Sequence, residues 1–358
     1  MDIFQSKINF DFKTNQLIIK YISFIDSFKG KWNIVEQREN VYLKELRKIA
    51  TIESIGSSTR IEGAQLTNAE VKDLLDNLKI TNLKTRDEQE VVGYFEVLEL
   101  IYESFQEIEL TQNYVQQLHQ RLLKYSDKDN RHRGKYKNLP NKVVANYPDG
   151  TQRVIYNTTE PHLVEIEMNN LLNWTNEQLK NEEIHPLIVI GLFIYEFLSI
   201  HPFQDGNGRL SRLATTYLLL KQDYQFISYV SFENLIEQKK KKYYEALMDG
   251  QKDRYSDNEK INAWILFFLQ SLVALIQRLE QKYEVFKSRG GYLNDRQKVI
   301  KKFIDDNQPI KLVDISKGFP DISTNTIKKD LQYLKTEKMI NSIGKNRGTI
   351  YISIDKKK

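Results

Sequence analysis

The chain has 358 residues, enough for two or three domains that each bury a hydrophobic core. Hydrophobic residues make up 40% and charged residues 28%, as in an ordinary water-soluble fold. There is no cysteine, which excludes disulfides and thiolate metal sites.

Charge and hydropathy limit the location and the partners. The N-terminus lacks the basic and then apolar layout of a signal peptide. The apolar stretches 186–200 and 261–276 are short and carry polar residues, so we expect buried helices, no membrane span and a cytoplasmic protein.

Residues 294–358 contain 15 Lys+Arg and 8 Asp+Glu, within a net charge of +5 for the chain. This basic segment favours an acidic partner.

The first third of the chain predicts a series of helices. Apolar residues recur at helical spacing over 41–52, and Thr67 is expected to cap a helix over 69–78. A clear amphipathic helix is predicted over 86–108. Thr111 is expected to cap the next helix, which runs to about residue 125.

A short motif lies between the first two of these helices. Ser58 and Glu62 form an i, i+4 pair, and Gly63 follows them. By itself such a pair is typical of a solvated helix end.

The segment after residue 130 changes character. Pro-Asp-Gly at 148–150 separates two β-type runs, 143–145 and 154–156, and this pattern predicts a hairpin. A helix over 161–179 follows, with these residues expected to face inward: Leu163, Ile166, Leu171, Leu172 and Trp174.

The apolar run 186–200 predicts a helix that is buried on all sides. Pro202 disfavours the α region at His201, so this helix should end there. Gly206 and Gly208 permit unusual backbone conformations before a second predicted helix over 210–220. Amide groups of such a loop and of a helix N-terminus converge on an anion, usually a phosphate.

The side chains around this predicted anion site form a set. Arg209 and Arg212 are three residues apart, so both guanidinium groups should emerge on one helix face, and arginine binds phosphate through two oxygens at once. Asp205 is an oxygen ligand suited to Mg²⁺ beside phosphates. His201 is the candidate general base.

The twelve residues 201–212, HPFQDGNGRLSR, match every specified position of H-x-F-x-[DE]-G-N-G-R-x-x-R. In this motif the chain resembles the Fic (Fido) family. The resemblance implies transfer of AMP from ATP to a protein hydroxyl, with His201 as the base and Asp205 as the Mg²⁺ ligand. It implies that the ATP phosphates are held at Gly206, Asn207, Gly208, Arg209, Leu210, Ser211 and Arg212. Gly208 favours AMP transfer over the kinase activity of Doc-type relatives.

The resemblance gives the earlier motif a meaning. Ser58, Glu62 and Gly63 match the family's inhibitory pattern [ST]-x-x-x-E-[GN]. In that case Glu62 pairs with Arg212 and occupies the region that the terminal phosphate needs. The chain is then autoinhibited, and a de-AMPylating or bifunctional enzyme is an alternative.

Two further sites rest on the same resemblance. Fic proteins hold the target against a β-hairpin flap, for which Val154, Ile155 and Tyr156 are candidates, and an ordinary surface hairpin is the alternative. Tyr243 is a candidate for stacking on adenine.

The C-terminal segment resembles a winged helix. Its patterns predict helices over 295–306, 310–317 and 325–337, then two strands within 340–354. The third helix would enter the major groove of DNA, with the wing near phosphate; a module for protein contact or dimerisation is the alternative. The basic residues concerned are Lys328, Lys329, Lys335, Lys345 and Arg347.

We therefore predict a mainly α fold: a Fic-type helical bundle with a β-hairpin flap, and a winged-helix domain. The expected divisions are an N-terminal helical region at 1–110, a catalytic domain at 111–289 and the winged helix at 290–358. The predicted function is an autoinhibited protein adenylyltransferase that uses ATP and Mg²⁺ and acts on a target protein or on itself. A DNA-binding transcription regulator with a vestigial Fic domain is the alternative from another class. Other nucleotides or phosphocholine as donors, and a homodimer, stay open.

Overall fold

The computed structural model describes residues 3–36, 41–78, 82–146, 152–288, 293, 295–336, 339–344 and 348–354. Within these ranges helices dominate, so the predicted mainly α class is confirmed. The helices are α1 Ile3–Lys7, α2 Phe12–Glu36, α3 Val41–Ile61, α4 Asn68–Asp76, α5 Arg86–Ser104, α6 Gln112–Leu122, α7 Val164–Asn181, α8 Pro186–Ile200, α9 Asn207–Lys221, α10 Phe232–Gln238, α11 Lys240–Gln251, α12 Asn262–Ser288, α13 Asp295–Asn307, α14 Leu312–Gly318 and α15 Thr324–Thr336.

The described residues form two small antiparallel sheets. In the first, strand β1 (Lys142–Asn146) pairs with β2 (Gln152–Asn157), as the hairpin prediction requires. The predicted turn at 148–150 lies outside the described residues. The second sheet consists of strands β3 (Ile310–Lys311), β4 (Ile340–Ile343) and β5 (Ile350–Ser353). Strand β5 lies in the middle of this sheet, between β3 and β4.

The chain divides into two compact units. The first comprises residues 1–39 and 43–279, and the second comprises residues 40–42 and 280–358. The division predicted at residue 110 falls inside the first unit. That domain assignment stays a prediction.

The core of the first unit is built around α8. Every residue of α8 from Leu187 to Ile200 is buried, which the unbroken apolar run predicted. Helices α7 and α9 pack against α8. Gly191 allows α12 to approach closely, because a side chain there would meet Ile265, and Trp264 donates a hydrogen bond to the Gly191 carbonyl at 2.7 Å.

Threonine residues fix where several helices begin. Thr67, Thr85 and Thr111 have extended backbones, and their side chains accept hydrogen bonds from amides in the first turns of α4, α5 and α6. This satisfies donors that a helix N-terminus leaves free. The caps predicted at Thr67 and Thr111 are therefore confirmed.

The inward set predicted for the helix over 161–179 is partly wrong. Leu163 and Ile166 are exposed, at 37% and 60%. A 3₁₀ turn over Pro161–Leu163 precedes α7, so the buried face of α7 starts at Val164 and continues through Met168 to Leu171 and the neighbouring Leu172 and Trp174.

One helix in the described part of the chain is long and apolar enough to cross a membrane by length and composition alone. It is residues 262–284, and 56% of its most apolar stretch is buried within the protein. A core helix of a globular protein meets the same description.

The second unit has its own core. Apolar residues of α13, α14, α15 and β4 pack together, among them Ile300, Ile304, Ile327 and Leu331, all at most 2% exposed. The element order is helix, strand, helix, helix, strand, strand. The three helices and two C-terminal strands lie close to their predicted positions.

We predict that Gly93→Ala destabilises the first unit. Gly93 lies on α5, and a β carbon there would come within 2.1 Å of the Leu122 carbonyl oxygen on α6. The helices would have to separate, at a cost of about 1–3 kcal/mol in the free energy of unfolding. Urea denaturation measures this. Gly30→Ala in α2 is the control, because nothing lies within 4 Å, and we expect it to be neutral or to stabilise by up to about 1 kcal/mol. Equal effects of the two substitutions would contradict the packing argument.

Candidate active site

The chain reverses direction between α8 and α9 within six residues. His201 takes a left-handed conformation with φ 51° and ψ 60° and ends α8. Gly206 is also left-handed, with φ 80°, and α9 begins at the next residue. Glycine adopts this conformation without the steric cost that other residues bear. The predicted end of the first helix is confirmed, while the second begins three residues earlier than predicted.

A buried asparagine holds this turn together. Asn207 Oδ1 accepts a hydrogen bond from the Phe203 amide at 2.8 Å, and Asn207 Nδ2 donates to the Phe203 carbonyl at 2.7 Å. Asn141 Nδ2 donates to the same carbonyl at 2.9 Å. Both polar groups of the Phe203 backbone are therefore satisfied inside the protein, which fixes the course of the turn.

The start of α9 has the geometry of an anion site. Its first intrahelical bond runs from the Leu210 amide to the Gly206 carbonyl at 2.9 Å. The amides of Asn207, Gly208 and Arg209 therefore have no intrahelical acceptor, as expected for a first helical turn. Such amides and the positive end of the helix dipole favour a phosphate or a carboxylate.

A pocket of about 240 Å³ opens at this helix terminus. It brings together residues from the sequence motif, from the end of α3, from the hairpin and from α11. Its lining includes Glu62, Lys142, Val143, Tyr156, Leu198, His201, Gln204, Asp205, Gly206, Asn207, Gly208, Arg212, Tyr243, Tyr244 and Leu247.

His201 is held in one tautomer at the wall of the pocket. Its Nδ1 lies 3.2 Å from the Leu198 carbonyl oxygen. A carbonyl only accepts, so Nδ1 carries the proton and Nε2 has a free lone pair. Burial lowers the pKa of His201 to about 4, although the Leu198 carbonyl acts in the opposite direction. The imidazole is therefore neutral at pH 7 and able to accept a proton at Nε2.

The Glu62 carboxylate lies against the first turn of α9. Its Oε1 lies 2.8 Å from Arg212 Nη2, and a β carbon on Gly208 would come within 2.2 Å of the same oxygen. Arg212 also donates to the Ser58 side chain at 2.8 Å and to the Ser58 carbonyl at 3.0 Å. The contact predicted between Glu62 and Arg212 is thus present, and Ser58 completes it.

The charge on Glu62 is stabilised where it lies. Burial would raise the pKa of this carboxyl, but the charge and hydrogen bond of Arg212, aided by the Arg209 charge, hold the pKa below its usual value. The helix end that presents Glu62 is fixed as well. Gly63 turns the chain with φ 112°, and Arg60 pairs with Glu237 at 2.7 Å.

Asp205 lies at the edge of the pocket with a partly exposed side chain. Its Oδ1 accepts from the Gly206 amide at 2.6 Å, and its Oδ2 lies 3.2 Å from Arg86. Burial acts to raise its pKa, but Arg209, the Gly206 amide and Arg86 together lower it. Asp205 is therefore ionised at neutral pH.

Arg209 differs from the prediction. Its guanidinium is 1% exposed and pairs with Glu90 at 3.1 Å and with Asp205 at 3.3 Å, outside the pocket lining. The two arginines of α9 thus point to different partners. Leu210 is buried in the core and its amide donates to the Gly206 carbonyl, while the Ser211 hydroxyl donates to the Gly208 carbonyl, so neither residue is among those that line the pocket.

The hairpin contributes the side of the pocket near His201. Tyr156 is buried, and its hydroxyl donates to the Leu198 carbonyl at 2.8 Å. Its side chain therefore faces α8, and only its backbone could meet a target strand. Val154 and Ile155 lie in β2, where Val154 pairs with Val144 of β1.

Two tyrosines of α11 also line the pocket. Tyr243 is buried and packs edge-on against Tyr244, with ring centroids 5.2 Å apart, and against Trp264 at 5.6 Å. Tyr244 is the more exposed of the pair. The predicted position of Tyr243 at the pocket agrees with the geometry, and Tyr244 joins it there.

Sequence reasoning did not assign supporting roles to His119 and Lys137. His119 on α6 donates to the Asp205 carbonyl at 2.9 Å, accepts from the Gly134 amide and stacks on Phe203. Lys137 donates through Nζ to the Ile200 carbonyl at 3.1 Å, and its amide donates to the Pro202 carbonyl. A polar residue at the apolar spacing of α6 was the available signal for His119.

The sequence matches the Fic/DOC family over residues 109–219. Among the relatives found, "Protein adenylyltransferase Fic" of Drosophila grimshawi is 29% identical over 187 residues, which is 52% of this chain and 36% of the relative. The protein of the same name from Drosophila virilis is 29% identical over 210 residues, 58% of this chain and 39% of the relative. The chain thus matches about two fifths of the length of these relatives.

Solved structures share the fold. A Fic family protein from Desulfovibrio desulfuricans superimposes with a TM-score of 0.63 at 21% identity and covers 96% of this chain and 97% of its own. Fic-1 from C. elegans gives a TM-score of 0.55 at 18% identity and covers 73% of this chain and 71% of its own.

The matched region contains the hairpin, helices α8 and α9 and the turn between them, and its motif is intact. Residues 109–219 are therefore similar in sequence to the Fic/DOC family.

Proposed function

We propose that this chain is a cytoplasmic protein adenylyltransferase that transfers AMP from ATP to a side-chain hydroxyl of a target protein. One observation carries the proposal: a neutral His201 with a free Nε2 shares a pocket with the amides of Asn207 and Gly208 and with Arg212. A base beside a phosphate site is the arrangement that phosphoryl chemistry requires. The names of the matched Drosophila relatives support the same activity.

In the proposed mechanism, the target strand lies along β2 and presents a hydroxyl to His201. A two-stranded sheet leaves each strand one edge for such an addition. Nε2 takes the proton as the hydroxyl oxygen attacks the α-phosphorus, and the bond to the pyrophosphate oxygen breaks. The first-turn amides of α9 and the Arg212 guanidinium stabilise the negative charge on the phosphates.

Asp205 fits Mg²⁺ as one ligand of a site that the phosphates of the nucleotide would complete. The described residues contain no group of three or more metal-ligating side chains. Mg²⁺ is commonly held by one or two carboxylates together with substrate phosphates, and Asp205 is an ionised carboxylate at the pocket edge. Asp205 would hold the ion, which supplies charge neutralisation at the phosphates when bound.

In the same proposal Glu62 inhibits the enzyme. Its carboxylate lies against Gly208, where a β carbon would be 2.2 Å away, and pairs with the arginine that a phosphate would need. A second negative charge cannot share that place without displacing the first. The inhibitory element belongs to the same chain, so the inhibition is intramolecular.

We predict that Glu62→Gly increases the rate of AMP incorporation by at least about tenfold. Correct placement of the nucleotide needs to lower the activation free energy by only about 1.4 kcal/mol to give that factor. Intact mass after incubation with ATP and Mg²⁺ measures the adduct on the protein itself or on added proteins. Glu45→Gly replaces an exposed glutamate of α3, the helix that ends just before Glu62, and as the control it should leave the rate unchanged. Equal rates for wild type and Glu62→Gly would contradict autoinhibition.

His201→Ala in the Glu62→Gly background should lower the transfer rate by about 10²–10⁴-fold, the usual contribution of a general base. ATP affinity, measured by calorimetry, should change little, because the phosphates contact the α9 amides and Arg212. His162→Ala removes an exposed histidine in the 3₁₀ turn before α7 and serves as the control. Undiminished transfer by the His201 variant would refute its role as the base.

The rate of the Glu62→Gly variant should be independent of pH between about 5.5 and 8. The pKa of His201 is lowered to about 4, so the base is already neutral throughout this range and protonates only below it. The Glu62 carboxylate raises the pKa of His201, so its removal in this variant shifts that pKa further down. The acidic limb of kcat/KM tests this, and a midpoint near 6.5 would contradict the buried environment of His201.

A further inference from the structure

Helix α15 in the second unit has one buried apolar face and one exposed basic face. Ile327, Leu331 and Leu334 pack into the core of that unit at 2% exposure or less. The opposite face consists of exposed residues at spacings of three, four and seven, which place them on one side of the helix. They are Asn325, Lys328, Lys329, Gln332, Lys335 and Thr336.

The single acid of α15 does not belong to this face. Asp330 is 3% exposed and accepts two hydrogen bonds from Arg296 of α13, at 2.6 and 3.1 Å, and one from Gln297 at 3.0 Å. Its charge is therefore neutralised within the unit. From the sequence alone Asp330 tempers the basic helix, whereas in the structure the exposed face keeps three lysines and no carboxylate.

We propose that the exposed face of α15 binds duplex DNA through the major groove, as an activity separate from AMP transfer. In helix-turn-helix proteins the second helix of the motif enters the groove, and in a three-helix variant it is the third helix. Helix α15 has this place after α13 and α14. Lys328 and Lys335 are seven residues apart, or about 10 Å along the helix, so a groove about 12 Å wide can place phosphates near both.

The composition of the face favours nucleic acid over an acidic protein surface. Asn325 and Gln332 lie one turn from the lysines on the same side, and carboxamides are side chains that bond two base-edge atoms of adenine. Lysines supply phosphate contacts that position the helix, and amides supply base contacts. Asp321, which is exposed in the segment before α15, opposes phosphate, so contacts are expected from Lys328 onward.

The test uses the full-length wild-type chain without nucleotide, and fluorescence anisotropy with a random-sequence duplex. Each phosphate contact makes the slope of log affinity against log salt concentration steeper by about 0.9. Three lysines therefore account for about a 40-fold loss of affinity between about 50 and about 200 mM salt. The variant with Lys328, Lys329 and Lys335 changed to Gln should lose that part of the slope and bind more weakly.

The matched control changes Lys20, Lys31 and Lys44 to Gln. These are exposed lysines on helices of the first unit, and the change in net charge is the same. We expect this control to bind like wild type, and circular dichroism with thermal melts confirms that both variants fold.

Three outcomes would overturn the proposal. The first is no duplex binding by wild type at about 50 mM salt. The second is equal loss of affinity in the two triple variants, which would reduce the effect to net charge. The third is tighter binding of polyglutamate than of duplex at equal charge concentration, which would assign the face to an acidic protein. None of these results depends on whether the chain transfers AMP.

Discussion

The site depends on the contact between the Asn207 side chain and the backbone of Phe203. Two hydrogen bonds, at 2.8 and 2.7 Å, close the turn between the buried helix α8 and helix α9. A tight reversal at the end of an apolar helix would otherwise bury backbone groups without partners, at a cost of about 1–3 kcal/mol each. With this turn closed, His201 at the end of α8 and the first residues of α9 line the same pocket.

The surroundings of the turn set the protonation state of His201 and hold the turn in place. Burial favours the uncharged form of His201, and the Leu198 carbonyl selects its tautomer. His119 and Lys137 bond to carbonyls on either side of the turn and so limit its movement. Arg209 is used to hold Asp205 and Glu90 rather than to line the pocket. The site thus contains a neutral imidazole, which is the proposed base, and one arginine that lines the pocket.

Glu62 connects this frame to the N-terminal helices. It reaches Arg212 across 150 residues of chain, and the same guanidinium bonds to Ser58 one turn earlier on α3. Arg212 is 2% exposed, so its charge needs a partner in every state of the protein. In the described structure that partner is Glu62, and in the proposed reaction it is a phosphate. In the proposed mechanism, inhibition by Glu62 and binding of a phosphate therefore require the same guanidinium group.

The sequence by itself determined the elements whose cause is local. A continuous apolar run followed by proline specifies α8 and its end, threonines specify helix starts, and Pro-Asp-Gly between β-type runs specifies the hairpin. The residue types of the motif were enough to predict the anion site and the base. Only the tertiary structure decided which partner each charge takes. Arg209 pairs with Glu90, Asp330 is buried and bonded to Arg296, and the Tyr156 side chain faces α8. The sequence could not predict these contacts, because they join residues far apart in the chain and depend on how the helices pack.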